Sequence, residues 1–180
     1  MKFSTQLFGS LVVTCVLLGN VSGADSVIAG KVKGVVLEKH EFVLTENTGQ
    51  DRTIKLAENV VINRGGRDFQ SELKVDDIVC VYCDKNALVL TANYILVQEG
   101  ESKNWTLAHG DVQSFDHEKK EITYLDDQGR DWTFSTIGVK VFVNRAESKV
   151  ESIKIGEHVL ALLQKAGDQT TLKSLFVNRK

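Results

Sequence analysis

Two cysteines stand three residues apart in Cys80-Val81-Tyr82-Cys83. Such a pair can hold a redox disulfide or a metal when a helix N-terminus lowers a thiol pKa. Here it sits in an extended apolar run. Residues i and i+3 of a strand point to opposite faces and lie roughly 10 Å apart. A disulfide needs Cα atoms within about 7 Å, so an intramolecular bond requires a bulge or strand end between them. Ordinary buried packing, a local or intermolecular disulfide, and a redox or metal role for Cys80 and Cys83 stay open. No histidine follows Cys83, so covalent haem attachment is not indicated.

The other chemistry-bearing residues are scattered. His40, His109, His117 and His158 show no i, i+4 zinc spacing. His40 reads as a solvated turn residue, and His109 and His117 fall at opposite ends of one strand. Asp126, Asp127 and Asp131 lack an EF-hand pattern and read as turn chemistry. No nucleophile elbow or phosphate-binding glycine loop occurs, so no enzyme activity and no cofactor are expected. Gly65-Gly66, between Arg64 and Arg67, reads as a flexible turn that could face an anion. Asn63-Arg64 recurs as Asn144-Arg145, and these four are candidates for a repeated polar contact to a polymer or a partner.

The elements that must position these residues come in two copies, 80 residues apart. Gly30-x-Val32 recurs as Gly110-x-Val112, and Gly49-x-Asp51-x-Thr53 as Gly129-x-Asp131-x-Thr133. Glu38-Lys39-His40-Glu41 recurs as Glu118-Lys119-Lys120-Glu121. One residue slips, so that Val60 to Arg64 matches Val141 to Arg145. The spacing then returns to 80, with Leu73 to Val79 matching Ile153 to Val159. Tyr94-Ile95-Leu96 and Leu175-Phe176-Val177 close the copies.

Period-two alternation in Phe42 to Thr45, Thr53 to Leu56, Ile122 to Tyr124 and Trp132 to Ser135 predicts strands with one buried face. Asn47 to Gln50 and Asp126 to Gly129 are hairpin connections. Asp68 to Leu73 and Glu147 to Ile153 read as single helical turns. Ile78 to Tyr82 and His158 to Leu163 are apolar on both faces, which predicts central strands or strands covered by the other repeat. Short strands that cannot leave both edges bare close most economically into a small barrel. A barrel of about 70 residues is marginal alone, so the copies should pack together.

This order of motifs resembles the uncharacterised OB-like small β-barrel repeat domains of bacterial exported and envelope proteins. In those domains a Leu-Lys-x-Gly-Asp turn precedes a Val-rich strand. The copies here have Leu73-Lys74-Val75-Asp76-Asp77 and Ile153-Lys154-Ile155-Gly156-Glu157, and lack the proline usual there. The resemblance implies an envelope location and a binding role, and brings no catalytic residue. The expected fold is all-β, two tandem small antiparallel barrels (OB-like or SH3-like), each with one short helical turn. The expected boundaries are 25–100 and 106–180, joined by a short polar linker at 101–105.

Residues 1–24 read as a signal peptide: Lys2, an apolar run from Leu7 to Leu18, then Val21 to Ala24. Cys15 suggests lipidation less well, because Thr14 is bulky and apolar residues continue beyond it. A mature periplasmic or extracellular chain would carry 21 basic and 24 acidic residues, a charge of −3. That balance weighs against a single-strand nucleic-acid binder, whose groove is basic. The leading expectation is an exported, non-enzymatic binding or adaptor protein without a transmembrane segment. Its partner would be another envelope protein or a polymer, and a homodimer is open. The alternative is an envelope redox or metal-handling protein.

Overall fold

The computed structural model describes residues 26–67, 72–84 and 89–179. The signal peptide expected at 1–24 lies outside them, as does most of the helical turn expected at Asp68 to Leu73. Twelve strands run in order: β1 (Ser26–Val36), β2 (Glu41–Glu46), β3 (Asp51–Arg64), β4 (Ile78–Cys83), β5 (Thr91–Val97), β6 (Trp105–Asp116), β7 (Glu121–Asp126), β8 (Asp131–Ser135), β9 (Lys140–Val143), β10 (Ala146–Ser148), β11 (His158–Ala166) and β12 (Gln169–Val177). The helical elements among the described residues are short 3₁₀ turns, and the second copy's expected turn is Val150–Ser152. No helix among the described residues is long and apolar enough to cross a membrane.

The first repeat is a closed barrel of order β1-β2-β3-β5-β4, with β4 returning to β1. β3 and β5 run parallel, and the other neighbours are antiparallel. That is the arrangement of an OB-type five-stranded Greek-key barrel. In the second repeat β6, β7, β11 and β12 take the places of β1, β2, β4 and β5. Its third strand is in two pieces, β8 on β7 and β9 parallel to β12.

The break shifts the register by one residue in the direction opposite to the slip read from the sequence: Ile62 pairs Ile95 and Val141 pairs Leu175, a spacing of 79 and not 81. In both copies the third strand is first pinned to the preceding turn: Leu56 N–H donates to the His40 carbonyl (2.8 Å), and Thr136 N–H to the Lys120 carbonyl (2.7 Å). The first copy then continues extended. The second turns over Thr136 to Val139, closing on Val139 N–H to the Thr136 carbonyl (3.2 Å), with Gly138 at φ 75°. The β7–β6–β11 sheet still curls around one core because Phe134 of β8 and Val141 of β9 both enter it.

The recurring motifs are joints of the barrel. Val32 N–H donates to the Asp77 carbonyl (2.9 Å) and Val112 N–H to the Glu157 carbonyl (3.0 Å). Return bonds run from Asp76 N–H to Val32 (2.8 Å) and from Gly156 N–H to Val112 (2.7 Å). Gly30 and Gly110 lie where the first strand crosses the second, and a Cβ there would strike the Thr45 or Leu125 carbonyl oxygen. Both first strands carry a bulge after the motif, between Val32 and Gly34 and between Val112 and Ser114.

Three cores result. Val32, Phe42, Leu44, Ile54, Val79, Val81 and Ile95 fill the first barrel. Val112, Ile122, Tyr124, Val159, Ala161 and Leu175 fill the second. The third joins the repeats: Cys80, Tyr82, Tyr94 and Leu96 on the outer face of β4 and β5 meet Trp105, Leu107, Leu160, Leu162 and Phe176. This is why Ile78 to Tyr82 and His158 to Leu163 are apolar on both faces. Ile78 itself stays outside, 56% exposed.

The polar stretch after β5 is a 3₁₀ turn over Gly100–Asn104, not an open tether. Its Ser102 is fully buried and donates through Oγ to the Val97 carbonyl (2.8 Å).

The closing strands correct one correspondence. Val79 pairs Val97 and Val159 pairs Val177. Ile95 therefore corresponds to Leu175 and Leu96 to Phe176, at a spacing of 80, not with Tyr94 against Leu175. A one-residue shift would exchange the face turned to the barrel core for the face turned to the other repeat.

Candidate functional site: the groove between the barrels

The sequence twins Asn63-Arg64 and Asn144-Arg145 do not occupy matching places. Asn63 is buried on β3, and its Oδ1 accepts from Gly66 N–H (3.1 Å). Arg64 grips Asp77 with both terminal nitrogens (3.0 and 2.5 Å), and also reaches Glu99 (2.7 Å) and the Glu72 carbonyl (2.8 Å). Its side chain is only 15% exposed. In the second copy this clamp is made by Arg179, past the end of β12. It donates to Glu157 (2.6 Å) and to the Ser152 carbonyl, the counterparts of Asp77 and Glu72. Asn144 and Arg145 are instead the left-handed turn (φ 48° and 71°) between β9 and β10, and both are exposed. Asn144 Oδ1 accepts from Arg179 N–H (2.7 Å). The signal that could have found Arg179 was present: Val177-Asn178-Arg179 contains a third Asn-Arg pair, directly after β12.

Of the four candidates, Arg145 faces a site. A groove of about 220 Å³ opens where the repeats meet. Barrel one contributes Asn59, Val61, Tyr82, Asn93 and Tyr94; the second repeat contributes Phe142, Arg145, Leu160, Phe176 and Asn178. The aromatic floor is locked. Phe176 stacks on Phe142 (centroids 5.0 Å, planes 9° apart) and tilts against Tyr94 (4.8 Å). Sequence reasoning missed Asn59, Asn93 and Asn178, because they lie within β3, near the start of β5 and just past β12, places that only the joining of the repeats brings together.

The cysteines lie on opposite faces of β4. Cys80 faces the core between the repeats and Cys83 the barrel interior, and both are free thiols. Burial pushes the Cys80 thiol up, opposed in part by hydrogen bonds with Thr106 and Leu107. Burial pushes Cys83 up to about 12. The reactive thiolate is disfavoured at both. Native protein at pH 8 is therefore expected to take up iodoacetamide at neither residue over minutes, while denatured protein takes it up at both; intact mass reads the difference. Rapid native alkylation at either would contradict this burial.

The Gly65-Gly66 turn does not present free amides to an anion. Gly65 N–H donates to Ser102 Oγ (3.2 Å) and Gly66 N–H to Asn63. His109 and His158 do approach each other, with ring centroids 5.5 Å apart, because β6 pairs with β11. His109 also contacts Tyr82 (5.6 Å) and Asp127 (3.8 Å), and His158 Nδ1 lies 2.8 Å from Asp111. Among the described residues no three His, Cys, Asp or Glu side chains gather to hold a metal.

Asp126, read as turn chemistry, anchors the β7–β8 hairpin. Burial raises its pKa, but this is outweighed by hydrogen bonds from Trp132 Nε1 (2.9 Å), Arg130 N–H (2.8 Å), Arg130 Nε (2.8 Å) and Gln128 N–H (2.9 Å). The net shift holds the carboxyl far below its ordinary range. A depressed carboxylate contributes stability that is fully present above its unfolded pKa and lost as pH falls through the folded one. Asp126→Asn is thus expected to lower the denaturation midpoint at pH 7 and to flatten its decline below about pH 4. Equal acid slopes for both proteins would contradict the assignment.

The molecule is a closed OB-like barrel sharing a core with a second copy of the same strand plan, with a polar-rimmed groove at the joint. That second copy is a curled seven-stranded sheet whose order β10-β9-β12-β11-β6-β7-β8 does not close. No family model and no curated protein matches the chain. Among solved structures it is similar to silver-bound CusF residues 10–88 from Escherichia coli, with 15% identity over 44% of this chain and 98% of that one, TM-score 0.35. Apo-CusF residues 6–88 gives 18% identity over 42% and 92%, TM-score 0.33. Drosophila Unr CSD456 gives 12% identity over 86% and 63%, TM-score 0.30. At such TM-scores no residue or role transfers from them.

Proposed function

We propose that this chain is an exported, non-enzymatic binding protein of the cell envelope whose contact surface is the groove between its two barrels. The observation that carries this reading is the convergence on that groove of Arg145, Asn59, Asn93 and Asn178, whose side chains brace nothing among the described residues. Arg64 and Arg179 brace loops, but Arg145 braces none among the described residues. The duplication supplies the two walls, and their shared core fixes the groove's width. Export rests on the Lys2-to-Ala24 leader pattern, and the envelope partner on the family resemblance of the repeat.

Two measurements on protein from its native host test this. The intact mass is expected to correspond to a chain beginning near Asp25; a mass beginning at Met1 would overturn export. A photo-crosslinking residue at Asn178 is expected to give one defined adduct, and the same residue at Ile137, exposed and outside the groove, none. Equal labelling at both positions, or none at Asn178, would sink the groove reading.

A further inference from the structure

We infer that the groove takes an anionic saccharide, with Arg145 on the acidic group and the asparagine amides on ring hydroxyls. This rests on the groove being the contact surface.

The polar inventory is specific. The side-chain amides of Asn59, Asn93 and Asn178 line the groove, and none has a hydrogen-bond partner among the described residues. Each offers a donor and an acceptor side by side, the complement of a hydroxyl, which also both donates and accepts. Arg145 adds a planar fork suited to a carboxylate or sulfate. Arg52, Arg64, Arg130 and Arg179 each face a carboxylate of their own: Glu46, Asp77, Asp126 and Glu157. Arg145 faces none among the described residues. No Asp or Glu lines the groove, although acidic residues outnumber basic ones in the chain, 24 to 22. An anion therefore meets one cation and no local repulsion.

Two other polymer classes fit less well. A single-stranded nucleic acid stacks its bases on free aromatic faces. Here Tyr94 and Phe176 are 3% and 8% exposed and spent on each other. An extended peptide adds to a strand edge, whereas this groove is lined by side chains from β3, β4, β5, β9, β11, β12 and the β9–β10 turn. The half-buried Phe142 suits the C–H face of a sugar ring. The volume of about 220 Å³ equals that of roughly seven waters, the scale of one ring.

The test uses the mature chain with polygalacturonate (carboxylate), chondroitin sulfate (sulfate and carboxylate), neutral dextran and oligo-dT as probes at 150 mM salt. One or both anionic glycans are expected to bind more tightly than dextran. Arg145→Gln should weaken them about tenfold or more, the worth of a charge-assisted hydrogen bond. Lys165→Gln, which removes an exposed charge outside the groove, should leave them unchanged. Asn93→Ala with Asn178→Ala should weaken every glycan that binds. Thermal melts establish that the variants fold. Binding equally weakened by Lys165→Gln, binding indifferent to Arg145→Gln, or oligo-dT bound more tightly than any glycan would each overturn the inference. If no glycan binds while the crosslink at Asn178 persists, the ligand class is wrong and the groove reading stands; if both fail, the groove is not the site.

Discussion

Gly110→Ala is expected to cost about 3 kcal/mol of stability, the upper end of what forcing one extra carbon into a packed site does. For a domain this size that lowers Tm by roughly 6 to 12 °C. At Gly110 a Cβ would sit against the Leu125 carbonyl group and 2.8 Å from Tyr124 Cδ2. Tyr124 is fully buried and cannot swing away. The backbone must therefore part where β6 crosses β7, at the pairing of Gly110 with Asp126. Gly30→Ala should behave alike, since its Cβ would meet the Thr45 carbonyl and lie 2.9 Å from Glu46 Cα. Gly34→Ala is the control: nothing lies within 4 Å of a Cβ there, so it should be neutral or gain up to about 1 kcal/mol from a stiffer unfolded chain. Denaturant unfolding of the three variants decides this. Similar midpoints for all three would show that the barrel crossing tolerates a side chain.

Arg64→Ala is expected to cost about 2 kcal/mol, less than a fully buried ion pair because a little solvent reaches the clamp. The change strands Asp77, whose side chain is 10% exposed and whose Oδ2 also accepts from Lys74 N–H (2.7 Å). It also releases Glu99 and the Glu72 carbonyl. Arg179→Ala removes the equivalent clamp from a more exposed position and should cost less. Arg145→Ala, the sequence twin of Arg64, should leave the unfolding midpoint where it was. If Arg145→Ala destabilised as much as Arg64→Ala, the distinction between brace and groove residue would fall.

The duplication, the strands and their buried faces were legible because each repeat unit buries alternate residues, and burial selects residue type. The double-sided runs at Ile78 to Tyr82 and His158 to Leu163 announced the shared core for the same reason. The register of β12 was not legible, because Tyr94 to Val97 and Ser174 to Val177 are too uniformly apolar for composition to mark a face. The pairing of Arg64 with Arg145 misled because an electrostatic brace needs a guanidinium at a point in space, and the chain supplies it from β3 in one copy and from beyond β12 in the other. The groove was invisible altogether. Asn59, Asn93 and Asn178 are unremarkable singly, and only the packing of one barrel on the other makes them neighbours.

The shared core also sets an order of events during synthesis. The first barrel can close once β5 has emerged, but Cys80, Tyr82, Tyr94 and Leu96 then form a bare apolar wall. Most of its cover, Leu160, Leu162 and Phe176, follows only about 60 to 80 residues after β5. At ordinary elongation rates of roughly 5 to 20 residues per second, the wall stays open for about 4 to 16 s. During that interval the nascent chain resembles a client for a holding chaperone more than a finished barrel, and a truncation before β11 leaves it so permanently.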